Sequence, residues 1–171
     1  MKRTLNVGLI GHKFMGRAHS HALIVVTMFF DLDAVPVMRV VCGVEDDLED
    51  PARRYGWQAF THSWEEVVNN PEIDIIDIAS HGDMHCTFAL AAPRQGNHIL
   101  CEKPLALTPH EAMEMYDAAE KAHVKHAVNF NCQRLPAVAL AKKLIEEGQS
   151  KILDASRFLR RARGRMVYEF S

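Results

Sequence analysis

Two glycines near the start of the chain, Gly11 and Gly16, are spaced to hold a phosphate group. They follow a short apolar run, Leu5–Ile10, and precede a helix-length segment. In a strand–turn–helix of this kind, backbone N–H groups at the helix N-terminus point at an anion and the helix dipole favours it. The full dinucleotide pattern has a middle glycine where this chain carries Lys13. Lys13 either adds charge at a pyrophosphate or weakens binding through its bulk, and the alternative is a turn that only packs strand against helix.

The 10 histidines suggest a metal site as a rival interpretation. His19 and His21 are separated by one residue, and His81 and His85 have a spacing that places two ligands on one helical face. A zinc site also needs a third ligand and a fixed shell of partners, which neither spacing supplies. We therefore expect no metal.

Short apolar runs alternate with helix-length segments along most of the chain. The apolar runs predict strands at Leu5–Ile10, Val37–Val41, Ile73–Ala79, His98–Cys101 and Ala127–Asn131. Helices are predicted at Met15–Phe30, Glu65–Asn69, His85–Gln95, Thr108–Ala122 and Pro136–Glu147, with a capping box at Thr108 and Glu111. This alternation is typical of βαβ units, so the sequence predicts an α/β fold: a doubly wound parallel sheet with helices on both faces.

The composition fits a globular protein of 171 residues, with 48% hydrophobic and 25% charged residues. It excludes disordered, collagen-like and disulfide-scaffold proteins. Four cysteines without a CxxC pair favour buried free thiols and a cytoplasmic location. A formal net charge of −2 gives no field for nucleic acid, and the longest apolar run is too short to span a membrane. We expect neither partner, and no signal peptide precedes the first strand pattern.

The charge is unevenly distributed, and this suggests a division of the chain. Residues 149–171 hold six Lys or Arg residues against Asp154 and Glu169. We expect one domain over residues 1–148, followed by this basic tail. The tail is interpreted as a solvated end or as the remnant of a second domain's start, rather than as a nucleic-acid-binding segment.

Two segments resemble a known family. NVGLIGHKFMGRAHSHA at 6–22 and HILCEKPLALT at 98–108 are similar to the Gfo/Idh/MocA oxidoreductases. FMGRAHS, WEEVVNNPEIDIIDIAS, EKPLALT and PAVALAKKLIEEG are most similar to the branch that holds levoglucosan and inositol dehydrogenases. The resemblance implies an NAD(P)-dependent enzyme that transfers a hydride to or from a sugar, polyol or related hydroxyl substrate. It covers about residues 3–148, and from the resemblance we expect this chain to lack the family's C-terminal substrate domain.

The resemblance also implies roles for individual residues. Lys103 would be catalytic, lying near the nicotinamide and contacting the reacting hydroxyl or carbonyl, where an ammonium stabilises alkoxide character. Glu102 would hold the lysine or shape the cofactor site, and a cis bond is expected before Pro104. From the residues alone, a solvated Glu/Lys pair is the alternative. The implied cofactor-binding residues are Gly11, His12, Lys13, Phe14, Met15, Gly16, Glu45, Ser80, His85, Glu102, Lys103 and Asn131.

The choice between NAD and NADP depends on the end of the second predicted strand. An acid there binds the ribose hydroxyls, whereas an arginine favours the 2′-phosphate. Gly43 stands where the family's acid usually lies, and Glu45 or Asp46 is near enough to replace it. No arginine follows directly, so NAD is favoured over NADP.

Two further hypotheses remain beside the enzyme. One is a truncated, non-catalytic nucleotide-binding protein, and the other is a half that needs a partner supplying the substrate domain. They are suggested by the missing second domain and by departures from the family pattern at Lys13, His81, Gly82, Cys132 and Gln133. Apolar surface left uncovered by that domain leads us to expect self-association.

Overall fold

The structure is a computed structural model that describes residues 2–148. Its central feature is a six-stranded sheet in the order β3-β2-β1-β4-β5-β6. The strands are β1 (Arg3–Ile10), β2 (Ala34–Cys42), β3 (Ala59–Thr61), β4 (Ile75–Ile78), β5 (His98–Cys101) and β6 (His126–Val128). All five neighbouring pairs are parallel. The predicted doubly wound α/β fold is confirmed.

Helices connect the strands and cover both faces of the sheet. They are α1 (Phe14–Phe29), α2 (Glu49–Tyr55), α3 (Trp64–Val68), α4 (His85–Ala91) and α5 (Pro109–Lys121); a further helix, α6 (Pro136–Glu146), follows the last strand. One core cluster joins the sheet to α2 through Leu9, Val41 and Leu48. A second joins it to α3 and α4 through Ile76 and Phe88. These buried strands are apolar on both faces, as a doubly covered parallel sheet requires.

Most predicted elements form within a few residues of their expected positions. The capping box of α5 is present: Thr108 accepts from the Glu111 N–H, and the Glu111 carboxylate accepts from the Thr108 N–H. The predicted helix at His85–Gln95 tightens into a 3₁₀ turn over Ala92–Gln95, where Pro93 lacks an N–H group. Gly96 ends it with a φ of 81°.

Two expectations about the strands were wrong. The short strand Ala59–Thr61 was missed, because three residues with little burial give no clear apolar run. The last strand ends at Val128 rather than at Asn131, which begins a 3₁₀ turn over Asn131–Arg134. This difference changes which asparagine can take part in a site at the end of the sheet.

The chain divides into two compact units between Asn129 and Phe130. The sheet and α1–α5 belong to the first unit. The described part of the second unit contains the turn at Asn131–Arg134 and α6, which ends before Gly148. The predicted boundary at residue 148 stays a prediction, and the basic tail of residues 149–171 lies outside the described residues.

The strand order reverses between β1 and β4. The chain proceeds outward from β1 to β3 in one direction, and then from β4 to β6 in the other. At such a point the connecting segments leave on opposite faces, so a crevice opens at the carboxyl ends of the two central strands. The glycine turn follows β1 and the Ser80–His85 loop follows β4, so the sheet brings two of the predicted segments to this crevice.

Candidate active site

The turn after β1 is built on close approach of the backbone to itself. The Gly11 N–H donates to the carbonyl oxygen of Cys42 at 2.8 Å, and this joins the end of β1 to the end of β2. A Cβ atom on Gly16 would lie 1.9 Å from the Gly11 carbonyl oxygen. Only glycine fits at that contact, so the pattern that predicted the turn has a steric cause.

The first turn of α1 offers unpaired backbone donors to an anion. Lys13 is the N-cap residue, and no side chain caps this end of the helix. The next two residues differ in their surroundings: Phe14 is 81% exposed, whereas Met15 packs against the apolar cluster of β1 and β2. The arrangement suits a phosphate group.

Lys13 is paired with an acid that follows β2. Its Nζ atom lies 2.8 Å from Oε1 of Glu45. The buried ring of His12 places Nδ1 2.9 Å from Oε2 of the same carboxylate, without the geometry of a hydrogen bond. Partial burial opposes ionisation of Glu45, but the hydrogen bond from Lys13 and the charge of His12 lower its pKa. The Glu45 carboxylate is therefore held ionised beside the glycine turn.

The Glu45 carboxylate also occupies the space beside Gly43. A Cβ atom on Gly43 would lie 2.5 Å from Nδ1 of His12 and 3.2 Å from Oε2 of Glu45. The carboxylate of Glu45, two residues further along the chain, thus lies close to where an acid at position 43 would begin. Asp46 is exposed and has no partner among the described residues.

The loop after β4 is fastened to the turn after β5 by His85. This ring is 1% exposed; Nδ1 lies 2.8 Å from the Pro104 carbonyl oxygen and Nε2 lies 3.1 Å from that of Ser80. His85 therefore supports the site from within instead of presenting a free ring nitrogen. The Ser80 hydroxyl donates to the His81 carbonyl oxygen at 3.3 Å.

Lys103 follows β5 at this edge of the sheet. The peptide bond between Lys103 and Pro104 is cis, as the resemblance implies. The Lys103 side chain is exposed, and within the described part of its unit it forms no hydrogen bond or ion pair. Its backbone N–H donates to Oε2 of Glu102 at 3.0 Å. Glu102 thus holds the lysine by the main chain, which leaves the charge available.

Behind Lys103 lies a polar cluster of three buried residues, His19, Asp77 and Glu102, and the partly buried Asn129. His19 Nδ1 lies 2.9 Å from Oδ1 of Asp77, and His19 Nε2 lies 3.1 Å from Oε1 of Glu102. The Asn129 amide donates to the same Glu102 oxygen at 2.6 Å. The cluster joins α1, β4, β5 and β6 at one point.

Burial and neighbouring groups shift the pKa values of this cluster in different directions. Burial opposes the charged form of His19, but its bonds to Asp77 and Glu102 raise its pKa to about 9. Burial is also the largest influence on Asp77, and it raises the pKa of that carboxyl despite the His19 hydrogen bond. Burial opposes ionisation of Glu102 too, but hydrogen bonds from Asn129, His19 and the Lys103 N–H lower its pKa. The ring is therefore an imidazolium at neutral pH.

The structure gathers most of the predicted residues at the edge of the sheet formed by the strand ends. Asn131 lies in the second unit, and its predicted role stays a prediction. Sequence reasoning missed Asp77, Asn129 and the part played by His19. One signal was present: Asp77 is a charged residue inside an otherwise apolar strand, and a buried carboxylate needs a partner.

The histidines considered for the rival metal site have other surroundings. His19 and His85 bond to protein groups, whereas His21 and His81 are exposed. Over residues 2–148, no group of three His, Cys, Asp or Glu residues could hold a metal ion. In the same residues, no helix is long and apolar enough to cross a membrane.

A glycine turn at the reversal point of a parallel sheet, with an acid after the second strand, defines a dinucleotide-binding α/β protein. The model of the oxidoreductase family with an NAD-binding Rossmann fold, Gfo/Idh/MocA, matches residues 5–130. The chain belongs to this family.

Individual relatives agree with this assignment. Levoglucosan dehydrogenase of Pseudarthrobacter phenanthrenivorans is 47% identical over 148 residues, which are 85% of this chain and 38% of that protein. Inositol 2-dehydrogenase/D-chiro-inositol 3-dehydrogenase of Lactiplantibacillus plantarum is 28% identical over 83% of this chain and 40% of its own length. A solved levoglucosan dehydrogenase complexed with NADH and levoglucosan superposes with a TM-score of 0.80, covering 85% of this chain and 40% of that one at 47% identity. This chain therefore spans about two fifths of the length of these relatives.

Proposed function

We propose that this chain binds NAD(H) at the crevice between β1 and β4 and forms the cofactor-binding part of a dehydrogenase. The substrate class is a sugar, a polyol or a related hydroxyl compound. The observation that carries the proposal is the Lys103 ammonium, which has no partner in the described part of its unit and is presented at the carboxyl-end edge of the sheet, next to Glu102, which contacts His19 of α1. The names of the 47% and 28% identical relatives support the substrate class.

The residues at the glycine turn fit a dinucleotide pyrophosphate. A Cβ atom on Gly11 or Gly16 would collide with neighbouring backbone, so these glycines keep the turn tight, and the uncapped start of α1 supplies N–H donors. The donors we assign are the amides of Phe14, Met15 and Gly16. Lys13 brings a positive charge to the same turn, and the buried His12 ring lies against the Glu45 carboxylate.

Lys103 carries the chemistry that this part of the chain contributes. A bound nicotinamide supplies or accepts the hydride. The Lys103 ammonium stabilises negative charge on the substrate oxygen as its carbon loses or gains that hydride. Ser80 contributes to the nicotinamide side through the loop that His85 fastens, and Asn131 is assigned a site role from the family pattern alone.

We assign Glu45 to the adenosine ribose. A carboxylate beside the glycine turn accepts hydrogen bonds from the two ribose hydroxyls, and it repels the 2′-phosphate of NADP. Its pairing with Lys13 leaves it ionised and holds it in place. This assignment favours NAD over NADP.

Titration of the protein with NADH and with NADPH tests the cofactor assignment. We expect NADH to bind more tightly, and Glu45→Gln to weaken NADH binding by about 10-fold because the ribose loses a charged acceptor. Asp46→Asn is the matched control, since Asp46 is an exposed neighbouring acid. Isothermal calorimetry gives both affinities. Weakening by Asp46→Asn alone would move the ribose contact to that residue, and no binding of either cofactor would overturn the proposal.

Bound NADH without turnover would support the second candidate, a nucleotide-binding chain that acts only with a partner supplying the substrate domain. The observation that favours it is the coverage of only 38–40% of the relatives' length. A panel of sugars and polyols at alkaline pH, assayed by NADH fluorescence, distinguishes the two candidates.

We also propose that the chain self-associates through the end of α1. Met28, Phe29 and Phe30 are adjacent and 75%, 75% and 65% exposed. Such a group of large apolar side chains is stabilised when a second copy covers it. Sedimentation velocity at micromolar concentrations is expected to show dimers, and Phe29→Asn is expected to shift them to monomers. Met113→Ser, which changes a separate exposed apolar residue, is the control; a monomeric native protein would contradict the proposal.

A cytoplasmic location is proposed from the state of the cysteines. Cys42, Cys86, Cys101 and Cys132 are all free thiols. Burial raises the pKa of Cys42 to about 11 and that of Cys101 to about 12, so these two stay unreactive thiols. Free thiols of this kind are typical of a reducing compartment.

A further inference from the structure

The proposed function leaves one group of buried side chains without a role. His19, Asp77 and Glu102 are 7%, 2% and 3% exposed, and Asn129 completes their cluster just after β6. Burying two carboxylates and an imidazole is costly unless every hydrogen bond is made. Because Glu102 of this cluster accepts from the Lys103 N–H, the cluster is placed to position the Lys103 backbone.

Two N–H groups on His19 fit the geometry of the cluster. Nδ1 lies 2.9 and 3.0 Å from the two oxygens of Asp77, while Nε2 lies 3.1 Å from Oε1 of Glu102 and 3.1 Å from the Asn129 amide nitrogen, which itself donates to that oxygen. An ionised carboxylate only accepts hydrogen bonds, so both ring nitrogens donate when both acids are charged. The other titratable group beside these two acids is the Cys101 thiol, which burial keeps neutral with a pKa of about 12.

The Glu102 carboxylate is fully used by groups of the protein. Oε1 accepts from Nε2 of His19 and from the Asn129 amide, and Oε2 accepts from the Lys103 N–H. Both oxygens therefore have fixed directions. Because Glu102 is held in this way, it does not turn toward the Lys103 ammonium and neutralise it.

We infer that His19 is a positioning residue that fixes the Glu102 carboxylate and, through it, the backbone from which Lys103 is presented to the substrate. Asp77 anchors the opposite side of the ring. When His19 loses its second proton, Nε2 becomes an acceptor facing the Glu102 oxygen, and the two repel each other. Glu102 then keeps its bonds from Asn129 and the Lys103 N–H but loses the one from His19, so the acceptor of the Lys103 backbone is held less firmly.

The inference has a structural part and a catalytic part. Coupling between the His19 proton and the Lys103 backbone is a property of the folded chain, and it is independent of any activity. The effect on turnover rests on the proposed function. The two parts are measured separately, so the failure of one is distinguishable from the failure of the other.

Nuclear magnetic resonance tests the structural part in the native protein. We expect the His19 ring to titrate with a midpoint near pH 9, and the Lys103 amide resonance to move with the same midpoint. Asp77→Asn removes the charge that anchors Nδ1, so both midpoints are expected to fall by at least about one pH unit. His110→Gln is the matched control, because His110 forms an exposed pair with Glu114 on α5.

Steady-state kinetics test the catalytic part. In Asp77→Asn, kcat is expected to fall about 10-fold as pH rises through the lowered midpoint and to recover at lower pH, with KM for NADH unchanged. A merely structural role would lower kcat at every pH and give no recovery. His19→Gln, which cannot hold two donors toward both acids, is expected to show the low kcat at all pH values.

The results of the titrations and of NADH binding bear on different parts of the inference. A Lys103 amide that does not respond to the His19 titration overturns the inference, even if NADH binds normally. A coupled titration without NADH binding supports the structural part and overturns the proposed function instead. If Asp77→Asn does not fold, the two midpoints in the native protein still decide whether His19 and the Lys103 amide are coupled.

Discussion

Replacing Lys103 with alanine is expected to slow hydride transfer by about 10³-fold while changing NADH affinity by less than about threefold. Lys103 is exposed and pairs with no described residue of its unit, so its removal breaks no contact that holds the fold. Its backbone bond to Glu102 is independent of the side chain. The whole effect should therefore appear in the chemical step, where negative charge on the substrate oxygen loses its partner.

The measurement is the turnover of a sugar or polyol by the full-length protein, with NADH affinity determined in parallel. A substrate deuterated at the reacting carbon should show a larger isotope effect in the variant, because hydride transfer becomes the slow step. Lys125→Ala is the control, since it removes an exposed lysine at the opposite edge of the sheet, beside the start of β5. Turnover that survives Lys103→Ala would count against the assigned role, and loss of NADH binding would indicate a cofactor contact instead.

Local patterns predicted those parts of the fold whose cause is also local. The capping box at Thr108 and Glu111, the turn at Gly96 and the strand His98–Cys101 all formed as the sequence predicted. In each, the interactions that decide the conformation lie within a few residues. The strand Ala59–Thr61 was missed because it is defined by pairing with β2 rather than by its own apolar pattern.

In the candidate site too, residues fixed by local sequence could be predicted, whereas those brought together by the fold could not. Gly16 could be identified because the turn that requires it is contiguous in sequence, and Lys103 because of the family resemblance. The buried cluster could not be identified in this way, since His19 is 58 residues from Asp77, 83 from Glu102 and 110 from Asn129. Only the strand order brings these four positions together.

Lys13 shows what the sequence left open. Its charge was expected either to reach the pyrophosphate or to hinder it, and a bond to Glu45 was not considered. Gly43 allows that bond, because the absence of a side chain there leaves room for the Glu45 carboxylate. Three residues on two different loops decide the outcome together, and none predicts it alone.

Replacing Gly16 with alanine is expected to lower the free energy of unfolding by about 3 kcal/mol or more, and to abolish measurable NADH binding. The added Cβ would lie 1.9 Å from the carbonyl oxygen of Gly11 and 2.8 Å from its carbon. Both are backbone atoms of the turn, so no side chain can move aside. Relief requires the start of α1 to move away from β1.

That movement would affect two functions of the same helix end. The amides of the first turn would leave the position from which we propose they bind the pyrophosphate, and His19, one turn further on, would be drawn away from Asp77 and Glu102. Urea unfolding and NADH calorimetry on one preparation measure the two effects. Gly82→Ala is the control for stability, since its Cβ would only reach ordinary contact, 3.4 Å, with Pro104.

The two measurements separate the role of the turn in folding from its role in binding. A variant with native stability would show that the turn relaxes without cost, which the backbone contact forbids. A variant that is destabilised and still binds NADH with native affinity would leave the steric argument intact and remove the pyrophosphate from this turn. Loss of both is the expected result, because the same close approach that excludes a side chain at residue 16 directs the amides of α1 into the crevice.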